Sequence, residues 1–280
     1  MDVYTTRLAT PADTDVIDKL ISRAGWLLLQ TWRNDAKSAW QDHDFFILEK
    51  ERQEGGACGL FIGPCAIAHL GVFALSHGWP LHPSLTALLS FARHWLSGCG
   101  VTTLVYVGMD HWLVDGLLAN GFCQVNVVVN LQKTDWDVPV RGNPHVAVRR
   151  AGVDDFADIL AIEAVAFEPL WRNTIDALNA YLTEHTFLFV AELDNYVVGY
   201  YCVSLNGRHG HLTRLVVHPD YQGRQIGIRL LAEALVFFRG QRVFGVTLNT
   251  QQDNHRARRL YEWFGFRTLG QEARVLTWAI

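Results

Sequence analysis

Residues Leu212–Leu231 read LTRLVVHPDYQGRQIGIRLL and join an apolar run of strand type to a long amphipathic helix. The loop between them contains Gln222, Gly223, Arg224 and Gly227. Glycine lets a backbone approach a ligand closely, and the amides at a helix N-terminus point outward with partial positive charge. The segment therefore predicts a strand, a loop and a helix whose junction suits an anion such as a pyrophosphate.

An ordinary strand-to-helix turn explains the two glycines equally well. A second segment is therefore needed to decide between an anion site and a simple turn. The spacing fits neither GxGxxG nor GxxxxGK followed by Ser or Thr, and the common nucleotide-binding folds gain no support from it. Leu248–Phe266, LNTQQDNHRARRLYEWFGF, predicts a helix with Asn254 at its start and Tyr261 seven residues later on nearly the same face. Taken singly, Asn254 is equally well a helix cap and Tyr261 a half-buried aromatic.

Together the two segments resemble the GCN5-related N-acetyltransferase (GNAT) family, over about residues 146–280. The phosphate loop of that family has Gln or Arg, two residues, Gly, one residue, and then Gly or Ala. Gln222 and Gly227 match it, whereas Gln225 stands in place of the first glycine. The last helix of the family reads Nxx(A)xxLYxxxGF, and this chain matches it at Asn254, Ala257, Leu260, Tyr261, Gly265 and Phe266.

The resemblance implies that this part of the chain binds acetyl-CoA as a co-substrate. In the family, the strand offers backbone groups to the pantetheine arm, amides of the loop hold the pyrophosphate, and the last helix hydrogen-bonds the pantetheine. These roles fall on Leu215, Val216, Val217, Gln222, Gly223, Arg224, Gln225, Ile226, Gly227, Ile228 and Asn254. Gln225 keeps a backbone N–H, but its Cβ stands where close approach is usual.

Acetyl transfer to an amine needs a neutral nucleophile, a donor for the oxyanion and an acid for the departing thiolate. The resemblance assigns the acid to Tyr261, and the backbone N–H of Val217 is the expected oxyanion donor. Some relatives, particularly those that acetylate protein N-termini, carry a Glu at the position of Asn249, which this chain lacks. His211 and Glu192 are therefore the candidate bases, although either is equally well a structural residue.

The stretch AFEPLWRNT, Ala166–Thr174, is expected to form the acceptor side of the site. Glu168, Trp171 and Arg172 are candidate substrate contacts within it, with Trp171 alternatively a core residue. The expected acceptor is a primary amine on a small molecule or a peptide.

Composition argues against several other classes of protein. The chain has 280 residues, half of them apolar, and a formal net charge of 24 − 28 = −4, which does not favour nucleic-acid binding. The most apolar stretch, Phe61–Leu75, is too short to span a bilayer and predicts two buried strands and a turn. Five scattered cysteines and the lack of a visible secretory signal predict a cytoplasmic protein with reduced thiols. No His or Cys cluster has ligand spacing, so we predict no metal.

The same pattern recurs earlier in the chain. A shift of 142 residues places Arg7 on Arg149, and it lays Phe45–Gly63 on Phe187–Leu205 without a gap. Pro139, Gly142 and Pro144 interrupt the periodicity between the two copies. We therefore expect an α/β protein with mixed sheets, built as two tandem GNAT-like acyl-CoA N-acyltransferase domains.

The two copies differ at the positions that carry the chemistry. Where the second copy has Gln222, Gly227, Asn254 and Tyr261, the first has Pro80, Leu85, Asp110 and Leu117. An apolar side chain cannot protonate a thiolate. We expect residues 1–138 to form a degenerate, non-catalytic domain and residues 146–280 to form the acetyltransferase domain.

The sequence thus predicts an acetyl-CoA-dependent N-acetyltransferase in which a primary amine attacks directly in a ternary complex. A non-catalytic acyl-CoA-binding sensor and a structural pseudoenzyme are the alternatives. No nucleic-acid or membrane partner is expected, and the protein is expected to be a monomer or a homodimer.

Overall fold

The computed structural model describes residues 4–30, 44–63, 65–182 and 185–280, and within these ranges it has thirteen strands and seven helices. The strands are β1 (Tyr4–Leu8), β2 (Ala24–Leu29), β3 (Asp44–Lys50), β4 (Gln53–Ile62), β5 (Ile67–Ser76), β6 (Thr103–Gly108), β7 (Cys123–Lys133), β8 (Ala147–Arg150), β9 (Thr186–Leu193), β10 (Tyr196–Asn206), β11 (His209–Val217), β12 (Gly245–Gln251) and β13 (Arg267–Ala279). The helices are α1 (Thr14–Ser22), α2 (Leu81–Gly98), α3 (His111–Ala119), α4 (Phe156–Ala166), α5 (Ile175–Ala180), α6 (Ile226–Gly240) and α7 (His255–Trp263).

The chain divides into two compact units, which we call the N-terminal unit (residues 1–126 and 273–280) and the C-terminal unit (residues 127–272). Two strands cross these boundaries. The last part of β7 pairs with β12 inside the C-terminal unit, and the last part of β13 pairs with β6 inside the N-terminal unit. The ranges predicted from the sequence, 1–138 and 146–280, place β7 in the first half and β13 in the second. In the structure each of these strands pairs within the other unit.

The C-terminal unit is built on a mixed sheet with the strand order β7-β12-β11-β10-β9-β8. Only β11 and β12 run parallel among these described strands. Because successive side chains of a strand point to opposite faces, Tyr201 and Val203 pack with α6 while Tyr200 and Cys202 pack with α4. Helices α6 and α7 thus cover one face of the sheet, and α4 covers the other.

The N-terminal unit has a mixed sheet in the equivalent order, β1-β3-β4-β5-β6-β13, and β2 also pairs with β5. Its core contains apolar residues of α2 and α3, among them Leu88, Leu89 and Leu113, packed against Phe46 and Phe73 of the sheet. Strands β5 and β6 run parallel, as β11 and β12 do.

The two units repeat one polar motif in detail. Arg149 donates to Asp155 at 2.7 Å and 2.9 Å and to Glu192 at 2.8 Å. Arg7 makes the same contacts with Asp13, at 2.7 Å and 2.9 Å, and with Glu49 at 2.6 Å.

The repeated motif also corrects the predicted alignment. Arg7 and Arg149 are 142 residues apart, but Glu49 and Glu192 are 143 apart. The gapless overlay of Phe45–Gly63 on Phe187–Leu205 is therefore wrong by one residue.

The prediction for the apolar stretch is confirmed, since Phe61–Leu75 contains the end of β4 and most of β5. Helix α6 begins only at Ile226, because Gln225 has a left-handed backbone with φ of 59°.

Candidate functional site

The parallel strands β11 and β12 separate part of the way along their length. They pair from His209 with Gly245 to Leu212 with Leu248, and β11 then continues to Val217 without a partner from β12. The pairing of β11 with β10 is irregular at the same place, since Val203 faces Leu212 but Cys202 faces Arg214. Thr213 is thus a bulge residue, and a bulge bends and twists a strand. The sheet opens at this point.

The open edge of β11 presents backbone groups. The N–H of His218 donates to the carbonyl of Val198 at 2.9 Å, toward β10. Backbone groups alternate between the two edges of a strand, so those of Val217 and Leu215 point to the opposite edge, where β12 has moved away. In the part of the chain that the structure describes, no strand pairs with this second edge of β11 beyond Leu212. This opening, at Leu215, Val216 and Val217, is where the sequence predicts the pantetheine arm.

The predicted phosphate loop lies between this strand and α6. Gly223 has a φ of 82°, and a Cβ built on it would meet no atom within 4 Å. Gln225 is the N-cap residue of α6, so the first amides of the helix, from Ile226 to Ile228, begin directly after it. A Cβ on Gly227 would stand 3.7 Å from Leu260 and Val217, which is ordinary contact. The backbone of the loop therefore suits a diphosphate.

The φ of Gln225, 59°, gives a physical reason for the glycine that the family pattern has there. Glycine adopts the left-handed region without penalty, whereas a residue with a Cβ pays roughly 1 kcal/mol or more. The departure from the pattern changes the local strain and adds a side chain, but the amide of Gln225 remains.

Gln222 links the open strand to α7. Its Nε2 donates to the carbonyl of Val217 at 3.2 Å, and its Oε1 accepts from Arg256. Arg224 has a different role, because its guanidinium lies 5.0 Å from the ring centre of Tyr221. Gln222 therefore positions the end of β11.

The phosphate loop is also supported by residues that the sequence reading assigned to the connection between domains. Asn143 Nδ2 donates to the carbonyl of Arg224 at 3.0 Å. Gly142 has a φ of 74°, and a Cβ there would stand 2.4 Å from the backbone N of Arg229. A cleft of about 540 Å³ adjoins this contact, lined by Asn143, Pro144, His145, Leu193, Asp194, Gly223, Arg224 and Gln225. Sequence reading missed the contact because Gly142 and Asn143 are some 80 residues from the loop.

Tyr261 lies in α7, 6% exposed, with its ring 5.9 Å from that of Phe266. Burial raises the pKa of Tyr261 to about 12, and Arg214 acts in the opposite direction. The hydroxyl makes no hydrogen bond to any residue in the described ranges. It is therefore protonated at neutral pH and free to donate.

Asn254 is the N-cap of α7, and its Oδ1 accepts from the N–H of Ala257 at 3.2 Å. The alternative role noted from the sequence, helix capping, is thus present. Its Nδ2 group remains a donor, so capping and ligand binding are compatible.

His211 lies next to the point where β11 and β12 separate, in register with Thr247. Its Nδ1 is 2.9 Å from the hydroxyl oxygen of Thr247. Val246 and Leu248 pack with α6, so Thr247 and the ring that it contacts lie on the α4 face. Burial lowers the pKa of His211 below its ordinary value, which leaves the imidazole neutral at pH 7. A neutral imidazole at this place can accept a proton.

Glu192 does not join this group. It lies on β9, which β10 separates from β11, and it pairs with Arg149. The equivalent Glu49 makes the same ion pair with Arg7 in the N-terminal unit, where Leu117 replaces the tyrosine. A contact that is kept where Leu117 stands in place of Tyr261 is structural, so the structure does not support Glu192 as a base.

The predicted acceptor segment shows three different environments. Glu168 is exposed, and Trp171 is half-buried. Arg172 donates to the carbonyls of Ala164 and Phe167, both at 2.8 Å, and so satisfies the C-terminal end of α4. Of the three, Arg172 has a structural role in this conformation.

A buried polar network that sequence reading missed lies beside this segment. Arg214 Nε and Nη2 donate to Glu163 at 3.0 Å and 2.5 Å, and Nη2 also donates to the carbonyl of Trp171 at 2.6 Å. The Tyr200 hydroxyl donates to Glu163 at 2.6 Å, and the backbone N–H of Asn173 donates to it at 2.7 Å. The Glu163 side chain is only 1% exposed. A carboxylate on the apolar face of α4, seven residues after Phe156, was the signal available in the sequence.

The N-terminal unit has different side chains at the positions of Gln222, Gly227, Asn254 and Tyr261. Pro80 is the N-cap of α2, and Leu85 and Leu117 are buried in the core. Asp110 precedes α3 and accepts a hydrogen bond from the Tyr106 hydroxyl at 3.1 Å. These side chains therefore serve packing and local structure.

Across the described ranges, no three His, Cys, Asp or Glu side chains are grouped so that they would hold a metal ion. None of the helices described is long and apolar enough to cross a membrane. All five cysteines are free thiols.

The C-terminal half matches known acetyltransferases in sequence. The sequence model of the acetyltransferase (GNAT) family matches residues 154–266. N-alpha-acetyltransferase RimI of Mycobacterium tuberculosis is 37% identical over 133 residues, which are 46% of this chain and 80% of that protein. A Bacillus subtilis protein, provisionally named ribosomal protein bS18-alanine N-acetyltransferase, is 27% identical over 126 residues, 44% of this chain and 82% of its own.

Solved structures match the whole chain in fold. A tandem GNAT protein from the clavulanic acid biosynthesis pathway has a TM-score of 0.67 and 14% identity, with 99% of this chain and 98% of that chain covered. The tandem arrangement and the α/β class with mixed sheets are therefore confirmed. The chain belongs to the GCN5-related N-acetyltransferase (GNAT) family and is an N-acetyltransferase.

Proposed function

We propose that the C-terminal unit transfers the acetyl group of acetyl-CoA to a primary amine by direct attack in a ternary complex. The observation that carries this proposal is the open edge of β11, which leads to the predicted phosphate loop and leaves the backbone groups of Leu215 and the N–H of Val217 without a strand partner. In this proposal residues 146–280 form the catalytic domain, residues 1–138 are silent, and the protein works in the cytoplasm.

The residues along the opening fit acetyl-CoA. Amides from Gly223 to Ile228 would hold the diphosphate, since the loop is open at Gly223 and ends at a helix N-terminus. The backbone groups of Leu215 would pair with the amides of the pantetheine arm, the N–H of Val217 would face the thioester, and Asn254 Nδ2 would add a further donor. Bound acetyl-CoA supplies a thioester whose carbonyl carbon accepts an amine.

His211 and Tyr261 would carry out the two proton transfers, and Val217 would stabilise the oxyanion. His211 takes a proton from the attacking amine, because its imidazole is neutral at pH 7. The backbone N–H of Val217 donates to the oxyanion that forms when the C–N bond forms. Tyr261 donates its proton to the sulfur as the C–S bond breaks, and its phenolate is reprotonated from solvent.

A peptide α-amine is the acceptor that we favour among primary amines. One relative named above is an N-alpha-acetyltransferase by name, and the other is an alanine N-acetyltransferase by name. An α-amine has a pKa near 8, whereas that of a lysine amine is above 10, so a weak imidazole base suits the α-amine better. Peptides with a free N-terminus and the same peptides with a blocked N-terminus and one internal lysine would separate the two acceptor classes.

The catalytic role is tested by Tyr261→Phe. Because the acid contributes to the barrier and not to cofactor binding, we expect kcat to fall by about 100-fold and acetyl-CoA affinity to change by less than about twofold. Tyr196→Phe, at an exposed tyrosine of the same unit, is the control. Unchanged turnover in Tyr261→Phe would remove its acid role, and binding without any turnover in the wild type would favour the sensor alternative.

A further inference from the structure

The segment that follows the first helix is placed differently in the two units. In the C-terminal unit residues 167–171 follow α4 and lie on its face of the sheet, held by Arg214. The equivalent residues of the N-terminal unit, 142 positions earlier, lie in strand β2. The same part of the fold is thus a turn in one unit and a strand in the other.

Strand β2 occupies the edge that is open in the C-terminal unit. Strand β4 pairs with one edge of β5 along nearly its whole length, so β2 and β6 must use the other edge. On that edge β6 pairs with Ile67–His69, and β2 pairs with Val72–Ser76. With the 142-residue offset, the second range corresponds to residues 214–218 of β11. Gln30 adds a bond from its N–H to the carbonyl of Gly71 at 2.8 Å, at the position of the bulge residue Thr213.

The residues that hold the segment away from the edge are missing from the N-terminal unit. At the positions of Glu163 and Arg214 that unit has Ile21 and Val72, which belong to one apolar cluster. Ala57, in the same cluster, takes the place of Tyr200. Burying a charge is costly unless it is paired, so Glu163 and Arg214 depend on each other and on the carbonyl of Trp171.

We propose that Glu163 and Arg214 are positioning residues that hold the acceptor segment on the α4 face and so keep the edge of β11 open for the cofactor. This rests on the proposed function of that edge. Arg214 reaches the segment at two points, since its guanidinium also lies 3.7 Å from the ring centre of Phe167. Without the pair, the segment would close the edge as β2 does in the N-terminal unit.

The test installs the apolar residues of the N-terminal unit, in the double variant Glu163→Ile and Arg214→Val. Replacing both partners of a buried ion pair by apolar residues is usually tolerated, so this variant should fold. We expect amide hydrogen exchange at Leu215 and Val217 to slow by at least tenfold without ligand, and acetyl-CoA affinity to fall by at least tenfold. Arg258→Val with Glu262→Ile removes an ion pair elsewhere in the unit and is the control.

A third substitution separates closure of the edge from general damage. Leu170 corresponds to Leu28, whose N–H points toward β5 because that of Gln30 does. Adding Leu170→Pro to the double variant removes that donor, and we expect fast exchange and acetyl-CoA affinity within threefold of the wild type to return. Fast exchange and wild-type affinity in the double variant, or no recovery with Leu170→Pro, would overturn the proposal.

The wild-type protein provides a test that does not depend on any variant folding. Amides of Leu215 and Val217 should exchange at least tenfold faster than those of their counterparts Phe73 and Leu75, which β2 covers. Equal protection in the two units would contradict an open edge. A wild type that binds no acetyl-CoA would contradict the proposed function instead, and the ligand-free exchange would still decide the role of the pair.

Discussion

The role of His211 can be examined by comparing it with the residue at the equivalent position of the N-terminal unit. His69 occupies the same position in the N-terminal unit, and burial lowers the pKa of both imidazoles. The partner differs, because His211 faces Thr247 and His69 faces Val105. Glu192, in contrast, pairs with Arg149 just as its counterpart Glu49 pairs with Arg7. The same ion pair in both units indicates a structural role for Glu192.

A pH profile follows from this placement. Since burial holds the pKa of His211 below its ordinary 6.5, kcat at saturating acceptor should be constant near neutral pH and fall on the acid side, with a midpoint below 6.5. His211→Gln should lower kcat by about 100-fold and abolish that acid limb. His69→Gln is the matched control and should leave the profile unchanged. An acid limb that persists in His211→Gln would assign the base to another group.

At the scale of the element, the start of α6 combines a residue of unfavourable backbone conformation with the proposed phosphate site. Gln225 holds a left-handed backbone where glycine is more favourable, and the first helical amides follow it. Helix and loop are fixed from outside by Asn143 and Gly142, which pack on Arg224 and Arg229. The loop therefore has contacts that hold its backbone in place although it lacks the first glycine of the family pattern.

The variant Gln225→Gly should relieve this cost. We expect the free energy of unfolding to rise by about 0.5 kcal/mol, which is the left-handed penalty less the freedom that glycine adds to the unfolded chain. Removing the Cβ should also raise acetyl-CoA affinity by about fivefold. Arg242→Gly, at another residue with positive φ, should match the gain in stability without the gain in affinity. Equal affinities in the two variants would show that the Gln225 side chain does not hinder the ligand.

At the scale of the whole molecule, the sequence predicts those features that are formed within a short segment of the chain. The strand, loop and helix around Gln222, the last helix with Tyr261, and the repeat of Arg7 in Arg149 all follow from patterns within short segments. These patterns were enough to predict the fold class and the tandem arrangement.

Contacts between residues far apart in the sequence could not be predicted from these local patterns. Nothing near Glu163 in sequence identifies Arg214, 51 residues later, as its partner. The sequence of β2 differs so much from that of its counterpart, the segment after α4, that a comparison of the two does not predict the pairing of β2 with β5. Strands β7 and β13, which each join the sheet of the other half, depend on contacts that periodicity does not encode.

The central claim is that one unit has an open cofactor edge and the other has a closed one. Calorimetric titration of the intact chain with acetyl-CoA tests it most directly, because affinity and stoichiometry are measured together. The account predicts one site per chain. Two sites would contradict closure of the N-terminal edge by β2, and no binding at millimolar ligand would contradict the acetyltransferase site itself.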